Sequence, residues 1–129
     1  MEHTLTCIGI VHSVLRSLAD CPLQEYEKAP EAELEIFPPF LVGMRDVKPG
    51  DDIILFTWLH KANRSTLETH PRNDSNIPLK GIFSTRSPDR PNPIGLHLAT
   101  VLAVEGNKWR VSSLEVLDQT PILDIKPRF

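Results

Sequence analysis

Apolar and polar residues alternate along several short stretches of the chain. The clearest alternation is AELEIF at positions 32–37, where acidic residues separate apolar ones. A period of two residues predicts a β-strand with one buried face. Further strand candidates, rich in β-branched and other apolar residues, lie at 5–14, 52–59, 79–84, 95–104 and 108–117. The turn residues 105–107 (Glu-Gly-Asn) join the last two candidates and predict a hairpin.

Prolines leave little room for helices. Twelve prolines are spread through 129 residues, and each removes a hydrogen-bond donor and disfavours helix at the residue before it. We expect short helices only around 40–47 and 63–68. The chain has neither a strand-then-long-helix alternation nor a glycine-rich phosphate-binding motif. The pattern therefore predicts an all-β or mainly β fold, a small antiparallel β-barrel with short helices, rather than a doubly wound α/β fold.

Composition bounds the class of protein. A chain of 129 residues with 40% hydrophobic and 24% charged residues is typical of one globular domain, which we expect over 1–129. The sequence contains no apolar run of about 18 residues and no signal-peptide pattern, so we expect a cytoplasmic protein that does not enter a membrane. Cys7 and Cys21 do not form a C-x-x-C pair, and the five histidines are scattered, so no metal site is expected.

Charge is unevenly distributed. The net charge of −3 argues against wholesale electrostatic binding to nucleic acid. Acidic residues dominate positions 20–52, whereas positions 61–90 carry six lysines and arginines against three acidic residues. We therefore expect an anionic partner to contact the second stretch.

The most distinctive segment is 81–96, GIFSTRSPDRPNPIGL. Its three prolines restrict the backbone, which suits a loop that is ordered before it binds a ligand. Arg86 and Arg90 offer planar donors to a carboxylate or phosphate, and Asp89 is a carboxylate suited to hold the second guanidinium. A stiff structural turn with internal ion pairs explains the same residues equally well.

A second candidate segment is 117–127, LDQTPILDIKP, with a turn at Thr120-Pro121. Asp118 and Asp124 are six residues apart, and Lys126 follows them. The two carboxylates suit a hydroxylated or cationic ligand, but a turn cap and a surface ion pair remain an alternative.

A third candidate is FTWLHKANR at 56–64, where His60 and Lys61 follow an apolar strand. A histidine at a strand end is more often structural than catalytic. Residues at strand ends nevertheless line the mouth of a barrel, where small ligands bind.

These three segments, together with IGIVHS near the N-terminus, resemble the TsaA-like (TrmO-type) family of S-adenosylmethionine-dependent tRNA methyltransferases. The resemblance covers nearly the whole chain, and its most specific part is the R-S-P-x-R-P-N-P-I-G core at 86–95. It implies a small β-barrel, a homodimer with S-adenosyl-L-methionine near the subunit contact, and a tRNA substrate. The reaction it implies is N6-methylation of threonylcarbamoyl-adenosine next to the anticodon.

The same resemblance implies individual site residues. It implies cofactor binding by Pro22, Leu23, Gln24, His60, Lys61, Arg86, Leu96, Asp118, Gln119, Thr120 and Pro121. The candidates for substrate contact or for shaping the loop are Arg90, Asn92, Asp124 and Lys126. No catalytic residue is identified, because positioning can supply most of the acceleration without a dedicated base. The chain departs from the family pattern at Leu23, Gln119 and Arg128, which replace arginine, glycine and tyrosine.

Two alternatives to tRNA methylation stay open at the level of the sequence. One is a methyltransferase with a small-molecule or protein acceptor. The other is a non-catalytic S-adenosylmethionine-binding module that keeps the barrel, which the departures at Leu23 and Gln119 would signal.

Overall fold

A computed structural model of the protein describes residues 1–16 and 30–129. The strands are β1 (Gly9–His12), β2 (Ala32–Ile36), β3 (Asp52–Trp58), β4 (Glu68–Thr69), β5 (Lys80–Gly81), β6 (Ile94–Glu105), β7 (Lys108–Val111) and β8 (Pro121–Pro127). Short 3-10 helices cover Pro38–Met44, Pro71–Asn73 and Ile82–Ser84. The predicted all-β class is confirmed.

Six of these strands form one closed antiparallel sheet in the order β1-β2-β7-β6-β3-β8, and β8 pairs with β1 to complete the ring. Strands β4 and β5 form a separate two-stranded sheet. Each strand of the ring therefore has a partner on both sides, which is how a closed barrel satisfies the edges of its sheet. The longest strand, β6, has 12 residues and therefore spans roughly 40 Å.

Side chains that alternate between the inner and outer faces of the strands form the core. In β2 the residues Ala32, Leu34 and Ile36 are buried, while the two intervening glutamates lie on the outer face. The other strands of the barrel add fully buried residues, including Val11, Leu55, Val111 and Ile122. These inward side chains form one hydrophobic cluster inside the barrel, as expected when one face of each strand is removed from water.

A 3-10 helix and the residues after it close one end of the barrel. Phe40 and Leu41 pack against the core, and Met44 is buried in it. The indole N–H of Trp109 donates a hydrogen bond to the Val47 carbonyl at 2.9 Å. The chemistry-bearing segments lie at the other end.

Two of the predicted elements differ from the structure. The strand predicted at 79–84 is confined to Lys80–Gly81, because the chain then turns and the Thr85 N–H bonds to the Ile82 carbonyl at 3.1 Å. The helix predicted at 63–68 is wrong. The Asn63 side chain accepts a hydrogen bond from the Ser65 N–H at 2.7 Å, a local bond that competes with helix formation.

Two further predicted elements differ in length or type, and strand β8 is a third difference. The strand predicted at 108–117 ends at Val111, since the chain leaves the sheet there while Leu114 and Val116 still enter the core. The helix predicted at 40–47 is the 3-10 helix Pro38–Met44. Strand β8 was not predicted, because its alternation is obscured by two charged residues on the outer face and a proline at each end.

Candidate functional site

One end of the barrel gathers three separated segments. Strand β3 is antiparallel to both β6 and β8, so the last residues of β3 lie beside the first residues of the other two. His60 and Lys61 follow β3, residues 82–93 precede β6, and residues 118–120 precede β8. We call 82–93 the arginine–proline loop. The structure thus places the three segments singled out in the sequence at the same end of the barrel.

Arg90 holds the arginine–proline loop in shape. Its guanidinium donates to the carbonyl oxygens of Ser87, Ile82 and Thr85 at 3.0, 2.9 and 2.6 Å. The sequence suggested Asp89 as the partner of Arg90, but backbone oxygens take that place. Planar guanidinium donors suit such a cluster of carbonyls. Arg90 therefore satisfies the interior of the loop and fixes its conformation.

The loop is fastened to the segment that follows β3. An Asp89 carboxylate oxygen accepts a hydrogen bond from the Asn63 N–H at 2.8 Å, and Arg64 Nε donates to the Pro91 carbonyl at 2.8 Å. The Arg64 guanidinium also lies 5.0 Å from the centre of the Trp58 ring, within cation–π range. The sequence pattern did not predict these contacts, although the residues lie close to His60 and Lys61 in the chain.

Two cations at this end have no partner within the described part of the chain. Arg86 and Lys61 are exposed and make no hydrogen bond or ion pair there. Partial burial and the neighbouring Lys61 lower the pKa of His60 below its ordinary value, so its imidazole is neutral at pH 7. Arg86 and Lys61 are therefore available to an anionic group.

Leu96 lies on the outer face of β6 and is 41% exposed. It pairs with Phe56 of β3, which in turn pairs with Asp124 of β8. Leu96 and Asp124 are thus two strand spacings apart, roughly 10 Å. The Asp124 carboxylate lies 3.3 Å from Lys126 Nζ in an exposed ion pair. The surface ion pair considered for these two residues is present.

Asp118 lies between the ends of β1 and β8. One carboxylate oxygen accepts a hydrogen bond from the Ser13 N–H at 2.9 Å, and the other contacts Arg16 at 2.7 Å. The Ser13 hydrogen bond, with smaller contributions from Gln119 and Arg16, lowers the pKa of Asp118 despite its burial. Asp118 thus binds a distant backbone N–H rather than capping its own turn, and the carboxylate remains ionised at neutral pH.

Gln119 occupies a backbone conformation that favours glycine. Its φ is 70°, and it is the third residue of a turn in which the Thr120 N–H bonds to the Leu117 carbonyl at 3.3 Å. The Thr120 hydroxyl donates to the same carbonyl at 2.7 Å. Positive φ at this position of a turn is adopted most easily by glycine, the residue that the family pattern has there. Gln119 therefore carries backbone strain.

The remaining candidates are placed as follows. The Asn92 carbonyl accepts a hydrogen bond from the Ile94 N–H at 2.7 Å, and the Asn92 residue is exposed. Pro121 begins β8 and pairs with Ile10. Pro22, Leu23 and Gln24 lie outside the described residues. No hydrogen bond or ion pair of the described residues joins the turn at 118–121 to Lys61, Arg86 or Leu96.

A buried polar pair supports the start of β6. Thr57 Oγ1 lies 2.9 Å from His97 Nε2, and both side chains point into the barrel. A Cβ atom added to Gly95 would lie 2.5 Å from Thr57 Oγ1 and 2.6 Å from His97 Nε2. The sequence pattern did not predict this cluster, although its glycine belongs to the R-S-P-x-R-P-N-P-I-G core.

Two concavities, of about 470 and 300 Å³, lie beside the turn between β6 and β7 at the opposite end of the barrel. Across 1–16 and 30–129, no three histidine, cysteine, aspartate or glutamate residues come together as metal ligands would. No helix in those two ranges has the length and apolarity needed to cross a membrane.

The fold and the site together define an antiparallel barrel protein whose strand ends present a fixed cationic loop beside an exposed apolar face. Comparison with known proteins makes this class specific. The chain belongs to the tRNA-methyltransferase O N-terminal domain family, whose model matches residues 10–129.

Individual relatives agree with that family. A probable S-adenosyl-L-methionine-binding protein of Methanothermobacter thermautotrophicus is 37% identical over 129 residues, 100% of this chain and 92% of that protein. Another, of Archaeoglobus fulgidus, is 38% identical over 93% of this chain, which spans only 32% of that protein. The crystal structure of TrmO from Pseudomonas aeruginosa superposes with a TM-score of 0.78 at 29% identity, over 100% of this chain and 55% of that one.

Proposed function

We propose that this chain binds S-adenosylmethionine at the arginine–proline end of its barrel and transfers the methyl group to tRNA. The observation that carries the proposal is the pair of cations, Arg86 and Lys61, which have no partner among the described residues and lie on segments that Arg90 and Asp89 hold in place. Family membership and the names of the relatives support it. The finer proposal is that the acceptor is N6 of threonylcarbamoyl-adenosine next to the anticodon.

The residues at this end match the chemistry of the cofactor. S-adenosylmethionine carries a carboxylate, an ammonium, a sulfonium and an adenine. Arg86 and Lys61 would hold the carboxylate through charge-assisted hydrogen bonds. The exposed side chain of Leu96 offers an apolar surface to the adenine. The ionised Asp118 would attract a cationic group of the cofactor through Oδ1, which accepts one hydrogen bond, from the Ser13 N–H, among the described residues.

The bound cofactor supplies an electrophilic methyl group, and the residues of the chain supply its position. Transfer to nitrogen needs the donor and acceptor in line, and a rigid site lowers the entropic part of that barrier. The three hydrogen bonds of Arg90 keep the loop that carries Arg86 in one conformation. We assign no general base.

An exposed apolar row on β6 supports a homodimer. Ile94, Leu96 and Leu98 on the outer face of β6 are 44%, 41% and 37% exposed, and contiguous apolar surface of this kind marks interaction sites. We propose that a second copy of the chain covers this face. The cofactor would then be held near the subunit contact and screened from water.

Calorimetric titration with S-adenosylmethionine and S-adenosylhomocysteine tests the cofactor site. We expect Arg86→Ala to weaken binding by about 1.5–3 kcal/mol, since a hydrogen bond to a charged group is lost. Arg45→Ala is the matched control, because Arg45 is exposed near the opposite end of the barrel and should leave affinity unchanged. Absence of binding by the folded wild-type chain, or equal affinity in Arg86→Ala, would contradict the assignment.

Methyl transfer tests the acceptor. The expected product is methylated tRNA when the substrate contains threonylcarbamoyl-adenosine, and none when that position is plain adenosine. If the methyl group is transferred to a small molecule or protein in cell extract and not to tRNA, the chain is a methyltransferase with another acceptor. The strained Gln119 favours a different alternative, a reshaped non-catalytic site. Binding of the cofactor without methyl transfer to any of these acceptors would support a non-catalytic S-adenosylmethionine-binding module.

A further inference from the structure

An exposed aromatic ring stands on the arginine–proline loop. Phe83 is 78% exposed, and among the described aromatic residues only the last residue of the chain, Phe129, is more exposed. It takes no part in the cofactor site proposed above. Aromatic rings are enriched on surfaces that a partner covers.

The backbone beneath Phe83 is held on both sides. The preceding Ile82 is buried at 1% exposure, and its carbonyl accepts a hydrogen bond from Arg90 at 2.9 Å. On the other side the Ser84 hydroxyl donates to the Gly81 carbonyl at 2.7 Å. The ring is thus presented by a fixed segment, so little backbone entropy is lost when something binds to it.

The stretch of sequence that carries Phe83 is rich in cations, although the acidic Glu68 pairs opposite Gly81. Positions 60–90 contain six lysines and arginines against three acidic residues, in a chain whose net charge is −3. Lys80 and Arg86 flank Phe83 in the sequence, and both are exposed. An exposed aromatic ring with nearby cations suits single-stranded nucleic acid, in which bases stack on the ring and phosphates meet the cations. The charge balance favours RNA over an apolar protein surface.

We propose that Phe83 stacks on a nucleobase in the anticodon loop of the tRNA acceptor, and that Lys80 contacts its phosphate backbone. This inference rests on the proposed function and adds a residue that binds the substrate rather than the cofactor. Bases of single-stranded RNA loops are unpaired and are recognised by stacking on aromatic side chains. Phe83 is therefore a substrate-binding residue, distinct from Arg86 and Leu96.

Fluorescence anisotropy with a labelled anticodon stem-loop that contains threonylcarbamoyl-adenosine tests this role, in saturating S-adenosylhomocysteine and at one fixed salt concentration. Stacking on one base is worth about 1–3 kcal/mol, so Phe83→Ala should weaken binding about 5- to 150-fold. Phe83→Trp should restore it, whereas Phe83→Leu should bind as weakly as Phe83→Ala. The matched control is Val42→Ala, an exposed residue near the opposite end, which should bind as wild type.

Calorimetry with S-adenosylhomocysteine, light scattering and thermal unfolding accompany each variant. If folded Phe83→Ala binds the stem-loop as tightly as wild type, or if Phe83→Leu does, the stacking inference is overturned but the proposed function is not. Loss of S-adenosylhomocysteine affinity assigns the ring to the cofactor adenine, and a changed oligomeric state assigns it to a protein contact, each of which overturns the inference. A wild-type chain that binds S-adenosylhomocysteine but no stem-loop overturns the tRNA acceptor as well.

Discussion

Charged side chains that look alike in the sequence have different roles in the structure. Arg90 donates to three carbonyls inside the arginine–proline loop, whereas Arg86, four residues earlier, has no partner among the residues described. The spacing of the two arginines does not distinguish them. Only the path of the loop decides which guanidinium is used internally and which is left for a ligand.

Gln119 offers a test of strain at a single residue. We expect Gln119→Gly to stabilise the protein by about 0.5–1 kcal/mol. A left-handed backbone costs a non-glycine residue about 1–2 kcal/mol, but part of that gain is lost because glycine gives up more backbone entropy on folding. The Gln119 amide contributes little, since its contacts with His12 and Asp118 are exposed and 3.3 and 3.4 Å long. Urea unfolding measures the change.

Gln119→Ala is the control for that measurement, because it removes the same contacts but keeps a Cβ atom at positive φ. It should be no more stable than wild type. If Gln119→Gly were also no more stable, the turn at 117–120 would be unstrained.

The pairing of β3 with β6 positions the residues of the candidate site. The register sets Thr57 opposite Gly95 and Phe56 opposite Leu96. Since side chains alternate between faces, Gly95 points into the barrel against the Thr57–His97 pair while Leu96 points outward. The arginine–proline loop therefore joins β6 next to Gly95, an inward position that is too crowded for a side chain.

Gly95→Ala tests this close packing. The added methyl group would lie 2.5 Å from Thr57 Oγ1, so we expect destabilisation by about 1–3 kcal/mol and weaker S-adenosylhomocysteine binding as the loop shifts. Gly43→Ala is the matched control, since a Cβ atom there meets nothing within 4 Å. Thermal unfolding and calorimetry measure the two effects. Equal stability of both variants would show that the pair accommodates a methyl group.

At the scale of the whole molecule, barrel closure brings distant segments of the chain together. Strand β8 pairs with both β1 and β3, which sets the turn at 118–121 at the same end as His60 and the arginine–proline loop. The outer face beside that end keeps an exposed apolar row on β6. This arrangement is the basis for the proposed dimer.

Leu98→Glu tests the proposed dimer. Leu98 lies on the outer face of β6 at 37% exposure, and a carboxylate buried between two apolar faces is costly. Light scattering should report a dimer for wild type and a monomer for Leu98→Glu, with circular dichroism confirming that the variant is folded. Val42→Glu near the opposite end should remain dimeric. A monomeric wild-type chain at every concentration, with or without cofactor, would contradict the proposal.

The sequence by itself determined the class of fold and most of its strands. Period-two alternation such as that of 32–37 depends on neighbours along the chain, and prolines restrict the backbone wherever they occur. These local signals predicted β2, β3 and the hairpin of β6 and β7. They failed for β8, whose outer charges hide its pattern, and for 63–68, where a side-chain hydrogen bond replaces the helix.

The tertiary structure decided the roles of the candidate residues. It assigned Arg90 to the interior of the loop, placed Asp118 under the Ser13 N–H, and paired Asp124 with Lys126. It also left Arg86 and Lys61 without partners among the described residues. None of these outcomes follows from residue type or spacing, because each depends on which backbone groups the closed barrel brings within hydrogen-bond distance of a side chain.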